Sequence, residues 1–158
     1  MSSHESNSPV PLLDVSRSNG PIREEVLQAL ADVYDSGRFL FAPAVGELET
    51  EVAKVFNAKH GVGCASGSDA LLLALMALRI GRGDEVILPS FTFFATASCV
   101  DRLGAKIVFA DIDPNTYNLD PEDLQSKITS RTRAIIPVHL FGQCAEMDTI
   151  CRIAESHD

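Results

Sequence analysis

Residues 61–75 read GVGCASGSDALLLAL: a short apolar run, a stretch of small and polar residues, then an almost wholly apolar segment. Serine just before a helix is a favoured N-cap, and glycine lets the backbone turn closely. The first amides of a helix have no partner within it, and the helix dipole places about half a positive charge among them. The turn Ser66-Gly67-Ser68-Asp69 therefore reads either as a plain cap by Ser66 or Ser68, or as a cradle for an anion such as a phosphate. In the second reading the Asp69 amide binds the anion while its carboxylate turns aside. The leucine-rich body is then expected to be buried on all sides within a larger domain. Both readings stand on this stretch alone.

Outward from it the same order recurs. Apolar runs at 61–64, 85–88, 106–110 and 134–138 are each followed by helical periodicity, at 68–79, 92–103, 121–128 and 147–157. Strand then helix, four times over, predicts an α/β fold with a mostly parallel sheet and helices on both faces. Asp120 before Pro121 pairs a good N-cap with proline at the first helical position. Upstream, 21–36 and 43–56 have amphipathic helical spacing, the first closed by Gly37. Residues 1–9 read as a disordered polar tail.

The chain has 158 residues, of which 46% are hydrophobic, enough for a substantial core. A formal net charge of -9, with thirteen Lys and Arg scattered along the chain, argues against a nucleic-acid partner. The N-terminus lacks a basic stretch followed by an apolar run, and the longest apolar run, from Ala70 to Leu78, is far short of a membrane span. The expectation is a cytoplasmic protein without a membrane partner. Cys64, Cys99, Cys144 and Cys151 form no CxxC pair and point to no metal site; Cys64 and Cys99 are expected as reduced thiols in apolar surroundings.

Ligands of parallel α/β sheets bind beyond the carboxyl ends of the strands, which here collects one candidate site. The first run delivers Ser66, Gly67, Ser68 and Asp69. The second delivers Pro89, Ser90, Phe91, Thr92, Phe93 and Phe94; the third, Asp111 and Asp113; the fourth, His139, Phe141, Gly142 and Gln143. The GVGCAS run lacks the third glycine of a dinucleotide fingerprint, and Leu88 and Pro89 stand where a ribose-binding acid belongs, which argues against NAD. Of the three phenylalanines one is expected to face the cleft, as a stacking surface for a flat ring, and two to be core. His139 is the histidine placed for function, with a structural role as its alternative.

With SGSDAL, ILPSFTFFATA and AIIPVHLFGQ in hand, the chain resembles the DegT/DnrJ/EryC1/StrS family of sugar aminotransferases, which use pyridoxal 5'-phosphate (PLP). PLLDV, DSGRFLFAPAVGELE, GRGDEVILPSFTF and FADIDPNTYNLDPEDL extend the resemblance over nearly all of 10–158. It implies that Gly67, Ser68 and Asp69 hold the PLP phosphate and that Phe93 stacks on the ring, with Ser66, Thr92, His139 and Gln143 as possible site-lining residues. The implied reaction transfers an amino group, usually from glutamate, to a keto group of a nucleotide-linked sugar, in a homodimer, through a Schiff base to a lysine. Lys54, Lys59, Lys106 and Lys127 are all misplaced for that role, and the resemblance puts the lysine and the pyridine-pairing aspartate beyond Asp158. The expectation is thus the N-terminal part of the PLP-binding domain of a fold-type I transferase, inactive by itself and marginally stable, with the 61–64 run separated from its sheet neighbours. A PLP-dependent sugar dehydratase of the same family, a nucleotide-binding α/β protein and a regulatory remnant are the alternatives.

Overall fold

A computed structural model describes residues 10–157, in two compact units that divide between Gly63 and Cys64. The polar tail at 1–9 lies outside the described residues.

In the N-terminal unit, helix α1 (Val15–Asn19) is capped by Asp14, whose side chain accepts the Arg17 amide. A 3-10 turn (Gly20–Ile22) leads into α2 (Arg23–Ser36). Helix α2 ends where Gly37 takes a left-handed φ of 65° and donates to the Tyr34 carbonyl, the conformation glycine adopts without a Cβ penalty. Helix α3 (Pro43–Val55) starts on proline. Neither α2 nor α3 has a buried residue: Val26, Leu30, Leu48 and Val52, spaced for an apolar face, are all exposed.

The C-terminal unit alternates as expected: α4 (Gly67–Ala77), β1 (Glu85–Pro89), α5 (Phe94–Arg102), β2 (Lys106–Ala110), α6 (Pro121–Lys127), β3 (Thr132–Ile135) and α7 (Met147–Glu155). Asp120 caps α6 by accepting the Glu122 amide. The strands form a parallel sheet in the order β2-β1-β3, with Val86 opposite Ile107 on one side and Ala134 on the other. Central β1 is buried throughout. Its alternation sends Val86 and Leu88 into a core with Leu75, Ile80, Cys99 and Val100, from α4 and α5 and the loop between α4 and β1. Ile87 enters a second core with Leu119, Leu124, Ile150 and Ile153, where α6 and α7 pack. Helices thus cover both faces of the sheet, and each fully buried aliphatic of β1 contributes roughly 1.5–3 kcal/mol.

Three expectations are corrected. The 61–64 run is not a strand: the Gly63 amide donates to Glu49 Oε1 at 2.6 Å, and a Cβ on Gly61 would collide with the Glu49 carbonyl oxygen, so the run lies along α3. A strand exists only with a neighbour to pair its amides. Among the described residues helix α4 buries one face, with Leu71, Leu72 and Leu75 meeting the core while Leu73 and Met76 are exposed, which leaves untested the expectation of burial on all sides within a larger domain. Cys64 is exposed, its thiol on the Ser66 carbonyl at 3.4 Å; Cys99 is buried as expected, and burial raises its thiol pKa. None of Phe91, Phe93 and Phe94 is core, because Ala95, Thr96, Cys99 and Val100 already fill the inner side of α5.

Candidate cofactor site

At the start of α4, Ser66 is the N-cap: its Oγ accepts the Asp69 amide at 3.1 Å and lies 3.2 Å from Asp69 Oδ2. Serine and aspartate thus satisfy each other, and the Asp69 amide is engaged within the turn. The next helical bond runs from the Ala70 amide to the Ser66 carbonyl. The amides of Gly67 and Ser68 are left without a protein acceptor among the described residues.

Those two residues line a cleft of about 510 Å³ at the carboxyl end of the sheet. Thr92, Phe93, Ala95 and Thr96 line it from the segment after β1; Val138, His139, Leu140 and Phe141 line it from the segment after β3, and Leu71 from α4. Thr92 is held by a 2.9 Å contact between its hydroxyl and that of buried Thr96. Phe93 is the residue before α5 and is 78% exposed, so its ring is available to a ligand. Phe91 instead stacks at a tilt on Tyr117, with ring centroids 5.8 Å apart. His139 Nδ1 accepts the Ala145 amide at 3.1 Å, which places the neutral ring's proton on Nε2.

The cleft therefore gathers Gly67, Ser68, Thr92, Phe93 and His139. Ser66, Asp69 and Gln143 are not among its lining residues: the first two close the cap on themselves, and Gln143 offers its backbone carbonyl to Asn118. Asp111 and Asp113 also stand apart from it. The Asp111 amide donates to Asp123, and Asp113 Oδ1 accepts the Asn115 and Thr116 amides at 2.8 Å, bonds that lower its pKa, the Thr116 bond most. Asn118, which the sequence reading passed over, is buried at 3% exposure and bonds three backbone groups of the segment after β3.

The donor set fits a phosphorylated aromatic cofactor. Two unpartnered amides at a helix start suit a phosphate, and Gly67 has nothing within 4 Å of where a Cβ would stand, so the backbone is open to close approach. The exposed Phe93 ring suits a flat heterocycle. Among the described residues, no lysine of the C-terminal unit lines the cleft. Lys106 opens β2 at the opposite edge and pairs with Glu85 at 3.0 Å; Lys127 lies 3.7 Å from Asp123; in the N-terminal unit Lys54 pairs with Glu51 at 2.6 Å, and Lys59 lines a separate pocket with Glu49 and His60. Among the described residues no group of His, Cys, Asp and Glu is arranged to hold a metal ion.

Residues 21–158 match the model of the DegT/DnrJ/EryC1/StrS aminotransferase family. The chain is 49% identical over 148 residues to a pleiotropic regulatory protein of Geobacillus stearothermophilus, covering 94% of this chain and 40% of that one. It is 46% identical over 148 residues to UDP-2-acetamido-2-deoxy-3-oxo-D-glucuronate aminotransferase of Pseudomonas aeruginosa, covering 94% and 41%. Among solved structures it is similar to NtdA of Bacillus subtilis with bound cofactor PMP, with a TM-score of 0.91 and 32% identity over 99% of this chain and 36% of that one. The chain thus spans about two fifths of the length of the curated relatives it matches. The parallel α/β fold agrees with the match: this chain belongs to the DegT/DnrJ/EryC1/StrS family, whose members are PLP-dependent aminotransferases.

Proposed function

We propose that the chain is the phosphate- and ring-binding part of a PLP-dependent aminotransferase acting on a keto group of a nucleotide-linked sugar. One observation carries the reading: a single cleft is lined by Gly67 and Ser68, whose amides have no protein acceptor among the described residues, together with Thr92, Phe93 and His139. The two amides hold the phosphate, and the Ser68 hydroxyl adds a hydrogen bond to it. Phe93 offers its face to the ring, while Leu71 and Ala95 keep water from that side. Asp69 contributes by holding Ser66 in the capping geometry. Bound PLP supplies an electron sink for the carbanion formed next to the transferred nitrogen. The name of the Pseudomonas aeruginosa relative supports a UDP-linked substrate.

In this reading residues 10–158 are the N-terminal part of the PLP-binding domain, and the Schiff-base lysine and the pyridine-pairing aspartate come from outside them. The proposal extends to a cytoplasmic homodimer with glutamate as amino donor. A second reading, binding without catalysis, is favoured by the position of Lys106 and Lys127 away from the cleft.

Titration with pyridoxamine 5'-phosphate tests the proposal, since that compound lacks the aldehyde with which PLP would modify any exposed lysine. Saturable binding that inorganic phosphate competes for is expected, with UDP and ATP binding much more weakly. Nucleotide binding without pyridoxamine phosphate binding would overturn it.

A further inference from the structure

The cleft wall after β3 has little regular structure of its own: a 3-10 turn (Leu140–Gly142) with Phe141 at a left-handed φ of 52°, then an irregular stretch to α7. What holds it comes from the far side of the sheet. Asn118 sits in the loop after β2, in a turn that Asp113 fixes by accepting the Asn115 and Thr116 amides while the Asp113 amide donates to the Asn118 carbonyl at 2.9 Å. Its buried carboxamide then makes three hydrogen bonds, all to the other segment. Oδ1 accepts the Leu140 amide at 3.0 Å, and Nδ2 donates to the Gln143 and Cys144 carbonyls at 3.2 and 3.3 Å. The next residue, Ala145, donates its amide to His139 Nδ1. The carboxamide and the imidazole therefore fasten the same turn from its two sides.

We propose that Asn118 is the positioning residue of the cleft: by locking the segment from Leu140 to Cys144 it brings the Ala145 amide to His139 Nδ1 and so fixes the imidazole with Nε2–H as a donor for a ligand acceptor. The role rests on the cleft being the cofactor site, but the lock itself is a property of the free protein. An asparagine is required because the turn presents one amide and two carbonyls; a carboxylate could satisfy the Leu140 amide and would repel both carbonyls. A lost bond at a buried site leaves its partners unsatisfied, so the effect concentrates in this turn.

The test compares the wild-type chain with Asn118→Asp and Asn118→Leu by NMR, under conditions in which the ring-nitrogen shifts show a neutral imidazole. Ring-nitrogen shifts are expected to show His139 as the Nε2–H tautomer in the wild type and as a mixture in both variants, with the Ala145 amide losing exchange protection. In Asn118→Asp the Leu140 amide keeps its protection; in Asn118→Leu it does not. Exchange at the β1 amides serves as the control for folding, and if Asn118→Leu lowers it, Asn118→Asp alone decides. An unchanged His139 tautomer and Ala145 amide in a folded variant would overturn the proposal. Pyridoxamine phosphate affinity is then measured: about tenfold weakening in Asn118→Asp is expected, and unchanged affinity would overturn the link to ligand binding. A wild-type chain that binds no pyridoxamine phosphate would sink the cofactor-site reading, while the tautomer data would still judge the lock.

Discussion

The two ends of strand β1 solve opposite problems. At its first residue, Glu85 is 1% exposed yet fully engaged: Oε2 accepts the Thr129 hydroxyl at 2.6 Å, and Oε1 accepts Lys106 Nζ at 3.0 Å and Arg131 Nη2 at 2.6 Å. One side chain ties the starts of β1 and β2 to the segment leading into β3. At the carboxyl end of the sheet, the amides of Gly67 and Ser68 have no protein acceptor among the described residues, and the rings of Phe93 and Phe94 are in solvent. The closed end spends its polar groups on each other and stabilises the sheet; the open end keeps them for a ligand. Substitutions should separate the two, with stability changing at one end and binding at the other.

The largest effect on folding is expected from Glu85→Gln. It leaves two cations facing a neutral amide in a buried position, and urea denaturation should show the greatest loss of stability in the series. The wild-type carboxyl pKa falls from 4.5 to about 2, chiefly through the Thr129 hydroxyl, with Arg131 and Lys106 adding to it against burial. A depressed folded-state pKa means that the unfolded chain binds the proton more tightly. The stabilisation is therefore present above about pH 4.5 and is lost as pH falls toward 2. Glu85→Gln should flatten that acid slope, while pyridoxamine phosphate affinity of the folded fraction stays unchanged at neutral pH.

Ser66→Ala comes next and touches both properties. Loss of an N-cap costs about 1 kcal/mol, readable as a lower urea midpoint. The same change frees the Asp69 carboxylate beside the proposed phosphate position, so affinity should also fall. Phe93→Ala should leave stability within about 0.5 kcal/mol, the usual range for an exposed side chain. It removes a stacking face worth about 0.5–1.5 kcal/mol and should weaken binding several-fold in calorimetry. Gly67→Ala should keep or slightly raise stability, since its Cβ meets nothing within 4 Å and alanine favours a helix. It should weaken binding through crowding of the cleft wall.

What the residues reveal by themselves follows the same division. Helix α6 was legible from Asp120-Pro121, and β1 from a short run of aliphatics, because caps and apolar runs are local signals. The 61–64 run carries the same local signal and forms no strand, since pairing is decided by what lies beside it. In the SFTFF segment the sequence showed aromatics but not their exposure; smaller residues of α5 take the core, which only packing decides. At Ser66-Gly67-Ser68-Asp69 the sequence leaves a cap and an anion cradle as alternatives; the structure shows the cap, with Ser66 accepting one amide and two others left without an acceptor among the described residues. Asn118 was invisible because its partners lie 22 to 26 residues further along, and nothing in its neighbours' spacing announces that closure.

Amide shift mapping during a pyridoxamine phosphate titration tests the division between the two ends most directly. Gly67 and Ser68 are expected to shift most, with Thr92, Phe93 and His139 following along the same binding curve and Glu85, Lys106 and Arg131 unmoved. Shifts centred on the Glu85 end, or on the pocket around Lys59 and His60, with Gly67 and Ser68 silent, would contradict it.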